Sequence, residues 1–566
     1  MAKPRLRPAP RWQLPLLTQL QDSTPHTLKR DVVAGLTVCV VMIPSVIAYA
    51  ELLHLPPVAG LYSALAACVA YALCASSRQV VAGPDAAIGL LAGTAILPLA
   101  GGDPVRTAML AAELAALSAL VLLLAARLNL GAIADLLSRP VLIGYLNGAS
   151  LILVSTQLGK LFGLPLGGEE FFPTWRALWE SWPATHLPTL LIGLALIATL
   201  VALDRWWPRV PAALAVSALA VAAAWLLGLP DMGVAMVEPV PGGLPLPSWP
   251  EVWLSDIQAL APAAMAIAFL AFSDGIVLAQ TFADKHHREF DANQELVALG
   301  ASNAAAALLQ GFPVSASQSR TSVVDAAGGQ TQVAQLVAAA GLLLFLLVAS
   351  DLVAMLPKVA LGAILIVTAL SMVEVASLSA LYRIDRRDFW LALAVMLSIL
   401  VAGVVPGILL GMLLSLIGVL VEISRPRDAV LSRRDSDGKF HDVEPNAPNA
   451  HTVPGLMVYR LYAPLIFANA RFVVNRLRTL TDAAAPPLQW LVIDAQAITD
   501  MDMTAAQRFA SLCRELAMRG IVVKIADAPR PFREELHKVG VVAELGEQPF
   551  YVSVKTAVEA FESQQA

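Results

Sequence analysis

Runs of about twenty apolar residues recur along most of this chain, and they constrain it more than any other feature, because that is the length a helix needs to cross the hydrocarbon of a bilayer. Such runs begin near residues 31, 57, 107, 134, 186, 209, 257, 293, 330, 352, 388 and 405. An ordinary soluble enzyme has no place for them: 57% of the 566 residues are hydrophobic and only 14% are charged. Charge collects in the first thirty positions, in a few short loops and beyond about residue 423, so the formal net charge of −5 says little about partners. Cys39, Cys68, Cys74 and Cys513 have no C-x-x-C spacing and no histidine close by, and indicate neither a disulfide framework nor a zinc site. The opening segment, MAKPRLRPAPRWQLP, is basic and proline-rich without an apolar stretch ending in a cleavage site, so residues 1–30 read as a retained cytoplasmic tail.

Two segments fall short of a full span, and each has a β-like lead-in, a Gly/Pro break and then a helix of small residues: RQVVAGPDAAIGLLAG and LLQGFPVSASQSRTSVVDAAGG. Counting them gives about fourteen spans, with the short segments third and tenth. Those are equivalent positions in two seven-span halves, the pattern of an inverted repeat whose broken helices meet at the midplane. Half-helices of this kind aim unpaired N–H groups and positive dipole ends at the centre, where an anion would be held with help from Ser and Thr hydroxyls. The plainer alternative is that Gly and Pro only kink two packed helices. With the N-terminus inside, one set of turns holds Arg78, Arg127, Arg205, Arg209, Lys285, Arg288, Arg383, Arg386 and Arg387, while the other holds chiefly Arg106, Lys160, Arg176 and Lys358. That bias puts the exit at Arg425 and Arg427, and all that follows, in the cytoplasm.

Past the membrane region, 31–424, a polar stretch at 425–450 reads as an exposed linker. Beyond it LMVYRLYAPLIFA suggests paired strands, ANARFVVNRLRTLT a helix, QWLVIDAQ a buried strand, TAAQRFASLCRELAMRG a helix, IVVKIAD a strand and PRPFREELHKVG a helix. Residues 451–566 are therefore expected to form a small α/β domain. Neither a nucleophile–base set, a metal cluster nor a nucleotide-binding glycine loop is visible, so an enzyme is not expected.

Several ordered stretches make the chain similar to the sulfate permease (SulP) family of anion transporters, whose members carry a C-terminal STAS domain. They are AGLTVCVVMIPSVIAYA at 34–50, LPPVAGLYSA at 55–64, SSRQVVAGPDAA at 76–87, SRPVLIGYLNG at 138–148, DANQELVALGASN at 291–303 and GFPVSASQSRTS at 311–322. The resemblance implies a polytopic α-helical fold of core and gate subdomains, an anion site between the third and tenth helices, elevator-like movement and a homodimer in a plasma or inner membrane. It sets Ser45, Tyr49, Asp85, Ala86, Ala87 and the run Ser317, Gln318, Ser319, Arg320, Thr321 around the anion. Two positions depart from the family pattern: Ser45 stands where glutamine is frequent, and Asp85 where an apolar residue is. A carboxylate beside an anion site repels its ligand when ionised, and either protonation or turning away would relieve this.

Asp274, in MAIAFLAFSDGIVLAQ, is an acid in an otherwise apolar span, where cost makes function the default reading. In related transporters an acid occupies this place, and Asp274 is the candidate for coupling to H⁺ or Na⁺, the only cofactor expected. A structural ion pair with Arg320 is the competing reading. Gly403, Gly407 and Gly411 are spaced for close helix packing, and a dimer contact is open. In the C-terminal domain ITDMDMTAAQ resembles the loop that carries a phosphorylated Ser or Thr in bacterial anti-sigma antagonists. Thr504 holds that place, while helix capping by Thr504 or Asp502 is the simpler account. The expected function is secondary active transport of a small anion, sulfate before bicarbonate or a dicarboxylate. An anion channel or uncoupled exchanger is the first rival. The second is a membrane-bound sensor signalling through a cytoplasmic protein partner of the STAS domain. No nucleic-acid partner is expected.

Overall fold

A computed structural model of the chain describes residues 15–21, 23–131, 139–166, 171–207, 210–238, 243–250, 253–348, 350–434, 440–442, 450–451, 453–484 and 486–565. Arg209, Ser138, most of the N-terminal tail and much of the 425–450 stretch lie outside the described residues. The chain divides into two compact units, Met1–Ser415 and Leu416–Ala566.

The first unit is helical. Setting aside the short helices Pro15–Gln21, Phe171–Ser181 and Val375–Ile384, its helices are α1 Pro25–Leu52, α2 Pro57–Cys74, α3 Ala86–Ala100, α4 Pro104–Arg127, α5 Arg139–Phe162, α6 Leu187–Trp206 and α7 Ala212–Leu227. They continue with α8 Leu254–Lys285, α9 Ala292–Leu308, α10 Gln318–Ala326, α11 Val333–Val348, α12 Lys358–Met372, α13 Arg386–Ala402 and α14 Val404–Ser424, which runs past the unit boundary. Among the described residues eight helical stretches are long and apolar enough to cross a bilayer, and α3, α7 and α11 are shorter apolar helices. At 9 residues α10 cannot span alone. Two strands of two residues each, β1 Ala82–Gly83 and β2 Ser315–Ala316, lead into α3 and α10.

Helix starts follow from caps that an apolar count overlooks. α1 begins at Pro25, ahead of its apolar run, because Thr24 and Thr27 cap each other's backbone N–H and Pro25 needs no donor there. Similarly, Asp103 accepts from the Val105 N–H at 2.9 Å in front of α4. Near 352 the run does not open a long helix: Ser350–Met355 is a 3₁₀ turn, and α12 starts only after Pro357.

Packing sorts these helices into two bundles. α1, α2, α3, α4, α8, α9, α10 and α11 form one, and α5, α6, α7, α12 and α13 form the other, with contact between bundles along α1 with α7 and α12 and along α3 with α5. α14 joins the second bundle by its glycines: a Cβ on Gly407 would stand 2.2 Å from Ile399 Cγ1, and one on Gly411 2.7 Å from Val141 Cγ1. Gly407 and Gly411 thus serve packing within the chain. In the first bundle α2 crosses α1 at Gly60, where a Cβ would come within 2.0 Å of the Val46 carbonyl oxygen.

The second unit is an α/β domain. Its strands are β3 Asp428–Arg434, β4 Phe440–Asp442, β5 Ala450–His451, β6 Leu456–Leu461, β7 Trp490–Asp494, β8 Val522–Ala526 and β9 Phe550–Tyr551, in the order β4-β3-β6-β7-β8-β9 with β5 also on β3. β6 to β9 are parallel, and β3 is antiparallel to both β4 and β6. Helices α15 Ala470–Asp482, α16 Met503–Met518 and α17 Arg530–Lys538 cover one face, where Leu491 and Ile493 meet Leu477, Phe509 and Phe532. α18 Val554–Gln565 covers the other, against Trp490 and Val492. A strand buried on both faces reads as a continuous apolar run, as QWLVIDAQ does.

Two expectations are corrected here. The stretch 425–450 is no mere linker, since β3 pairs with β6 from Asp428↔Leu461 to Leu431↔Val458. The segment LMVYRLYAPLIFA supplies one strand, β6, not two. β3 escapes notice because Ser432 and Arg433 follow Leu431 and break any run of apolar residues or apolar–polar alternation.

Candidate functional site

β1 and β2 pair antiparallel, Ala82 opposite Ala316 and Gly83 opposite Ser315. Each strand leads at once into its helix, so the N-termini of α3 and α10 meet at this crossing and the helices depart in opposite senses. Two-residue strands cannot hold themselves together. Here one further backbone bond and several side chains do it: the Ser317 N–H donates to the Val81 carbonyl at 2.9 Å, and the Val81 N–H to the side-chain Thr321 Oγ1 at 3.0 Å. From α11, Gln335 Nε2 donates to the Val80 carbonyl at 2.7 Å while its Oε1 accepts from the Ala82 N–H at 3.3 Å. Gln332 Nε2 donates to the carbonyls of Ser77 and Val80.

Arg320, in the first turn of α10, is only 3% exposed. Its Nε and Nη2 are buried without a hydrogen-bond partner, and it forms no ion pair among the described residues. The guanidinium lies against the backbone leading into α3, since a Cβ on Gly83 would be 3.3 Å from Nη2. Gln318 and Ser319 are exposed beside it, and Ser317 Oγ lies 3.3 Å from Ser319 Oγ. Asp85 is half-buried and caps α3, its Oδ1 accepting from the Ala87 N–H at 3.0 Å, with Ala86 and Ala87 buried behind it. The carboxylate has not turned away from the crossing, and it bears electrostatically on Arg320.

Tyr49, buried in α1, faces Asp85 and Arg320, with Ser45 on its own helix and Thr368 on α12 near its hydroxyl. The Ser45 hydroxyl itself donates to the Val41 carbonyl at 3.2 Å. Asp274 sits on α8, half-buried, within electrostatic reach of Asp85. The ion pair left open between Asp274 and Arg320 does not form. Tyr145 on α5, which sequence reasoning passed over, donates to the Ala87 carbonyl at 3.1 Å and feels both Asp85 and Asp274. Two glutamines at the start of an apolar run were the available signal for Gln332 and Gln335, while Tyr145 offered none.

Thr504 stands apart, in the second unit. Asp502 caps α16 by accepting from the Ala505 N–H at 2.8 Å, and Thr504 is an exposed residue of the first turn.

Broken helices meeting at paired lead-in strands around a buried arginine, followed by a mixed α/β domain, define a membrane transporter with a C-terminal α/β module. The pattern of the sulfate permease family matches residues 28–395, and that of the STAS domain matches residues 447–557. The chain is 39% identical to a probable sulfate transporter of Mycobacterium tuberculosis, over 97% of this chain and 98% of that one. It belongs to the sulfate permease family and is an integral membrane protein of that class. A solved structure of the murine solute carrier 26 member A9 anion transporter in the inward-facing state superimposes with a TM-score of 0.90 at 22% identity, over 99% of this chain and 96% of that one. The transmembrane domain of a cyanobacterial bicarbonate transporter, BicA, gives 0.61 at 20% identity over 70% and 98%. At such identities the likeness is one of fold.

Proposed function

We propose that this protein is a secondary active transporter of a small oxyanion, with sulfate the first candidate, bound between the N-termini of α3 and α10 and coupled through Asp274. The observation that carries the reading is Arg320: a buried guanidinium with two unpartnered nitrogens between two helix N-termini. Buried charged nitrogens left without hydrogen bonds cost at least about 1–3 kcal/mol each, a large share of what a whole domain has to spare, so such a residue is kept for the ligand it will meet. Thr321 fixes the lead-in strand, Ser319 and Gln318 offer polar atoms at the open N-terminus, and Tyr49 and Tyr145 wall the site. The name of the mycobacterial relative favours sulfate over bicarbonate. Asp274, half-buried and without a salt-bridge partner among the described residues, is free to exchange H⁺ or Na⁺, which favours coupled transport over a channel. Cytoplasmic termini and a homodimer belong to the same reading, on the strength of the basic-residue bias and the family resemblance.

The test is uptake of labelled sulfate, bicarbonate, fumarate and chloride into liposomes holding the purified protein, with and without an inward H⁺ or Na⁺ gradient. Sulfate accumulation under one gradient alone is expected. Equal flux with or without any gradient would make it an uncoupled pathway, and binding without flux would make it a sensor.

A further inference from the structure

The two helix N-termini at the crossing are not alike. That of α10 has no side-chain cap, whereas that of α3 is closed by Asp85 on the Ala87 N–H. The place an incoming anion would take on α3 is thus already held by an anion of the protein itself, beside the unpartnered nitrogens of Arg320.

The charged and titratable groups facing Asp85 from the packed helices are few. They are Arg320 from α10, Asp274 from α8, Tyr49 from α1 and Tyr145 from α5. From α2, Cys68 lies near Arg320, and α12 brings the neutral Thr368. On α4 the acid is Glu113, which faces Arg106 and Asp256 instead.

Counting charge then decides what can enter. Arg320 supplies one positive charge and the two helix ends about half a charge each, so roughly two in all. Ionised Asp85 and Asp274 cancel that sum. A divalent oxyanion added to this balanced site would leave it about two charges negative, in surroundings where uncompensated charge is expensive. Two protons restore the balance.

Building on the anion site proposed above, we infer that Asp85 is a tethered competitor for the substrate's place at α3, which it yields on taking a proton. The site therefore accepts a divalent oxyanion together with two protons, one on Asp85 and one on Asp274. A monovalent anion needs one proton fewer, so the carboxylate at position 85 sets both the charge class of the substrate and the proton count.

The experiment uses the full chain in lipid nanodiscs without sodium. Labelled sulfate binding is measured between about pH 5 and 8, and proton uptake on sulfate addition is followed at weak buffering. Asn and Ser both serve well as helix N-caps, so Asp85→Asn and Asp85→Ser keep the start of α3. In the wild type about two protons enter per sulfate, and affinity falls about a hundredfold per pH unit at the alkaline end, by linkage. In both variants about one proton enters, the fall is about tenfold per unit, and sulfate binds at least about tenfold more tightly than in the wild type at the top of the range. Equal proton uptake with equal or weaker alkaline affinity in both variants overturns the role of Asp85 and leaves the anion site standing. Absence of sulfate binding in all three proteins at every pH overturns the sulfate assignment and this inference together.

Discussion

Arg320 sets a conflict between stability and binding that a single substitution separates. Two of its buried nitrogens lack a hydrogen-bond partner and Asp85 acts on it only at longer range, so Arg320→Leu is expected to raise the thermal midpoint of the substrate-free protein at acid pH, where Asp85 carries its proton and no acid is left unbalanced, as replacing buried ions by apolar residues often does. The same change removes hydrogen bonds to a charged ligand, worth about 1.5–3 kcal/mol each, and sulfate binding should weaken roughly 10- to 100-fold. A lower midpoint with unchanged affinity would reduce Arg320 to a packing role. Asp274 separates differently: Asp274→Asn is isosteric and keeps the site's shape, so gradient-driven uptake should disappear while sulfate still binds, measured as accumulation in liposomes against binding in nanodiscs. Wild-type coupling in that variant would remove Asp274 from the mechanism. Asp274 stood out in the sequence as a charge in an apolar run, whereas Arg320 lies in the polar run Ser317 to Ser322 and drew attention by its place after the Gly/Pro break. Tyr145 did not stand out, since a tyrosine in an apolar run looks like any aromatic of the core, and only the fold brings its hydroxyl to the Ala87 carbonyl.

Among elements, the lead-in strands depend on neighbours far away in sequence. β1 and β2 share two residue pairs, and the polar groups just before β1 are satisfied by Gln335 of α11 and by Gln332 just ahead of that helix. Gln335→Leu keeps the volume but strands the Ala82 N–H and weakens the hold on the Val80 carbonyl, at about 1–3 kcal/mol for a buried group left unpaired. The thermal midpoint should fall and sulfate affinity with it, and restoration by Gln335→Glu at acid pH, where Glu is neutral and can donate, would identify the hydrogen bonds as the cause. An unchanged midpoint in Gln335→Leu would mean that strand pairing alone suffices. The breaks themselves were legible, because Gly83-Pro84 and Gly311-Phe312-Pro313 interrupt apolar runs with residues that disfavour a helix interior, each after a β-like lead-in. What was hidden is support that comes from another segment: neither Gln335 nor the polar strand β3 reveals a partner to a reader of its own neighbourhood.

Across the whole membrane unit, the transport proposed above implies that one bundle moves against the other, and among the described residues one ion pair lies across that boundary. Glu51, near the end of α1 in the first bundle, is ion-paired with Lys160 of α5 in the second. The Arg106–Asp256 pair at 2.6 Å and the Lys285–Asp325 pair at 2.6 Å each join helices of the first bundle only, so movement between bundles leaves them intact. An ion pair that is partly solvated on both sides contributes about 0–1 kcal/mol, small enough to be broken in every cycle and still bias the resting state. Two consequences follow at this scale. Removing the charge by Lys160→Gln should change uptake rate only modestly, since so weak a contact cannot be the main barrier. Joining the positions permanently should instead stop the cycle: with Glu51→Cys and Lys160→Cys, a short bifunctional thiol reagent is expected to abolish sulfate uptake in liposomes while sulfate binding persists, and a cleavable version of the reagent should restore uptake on reduction. Full uptake by protein shown to be cross-linked would mean that α1 and α5 stay together at this point throughout transport, and that the moving boundary lies elsewhere.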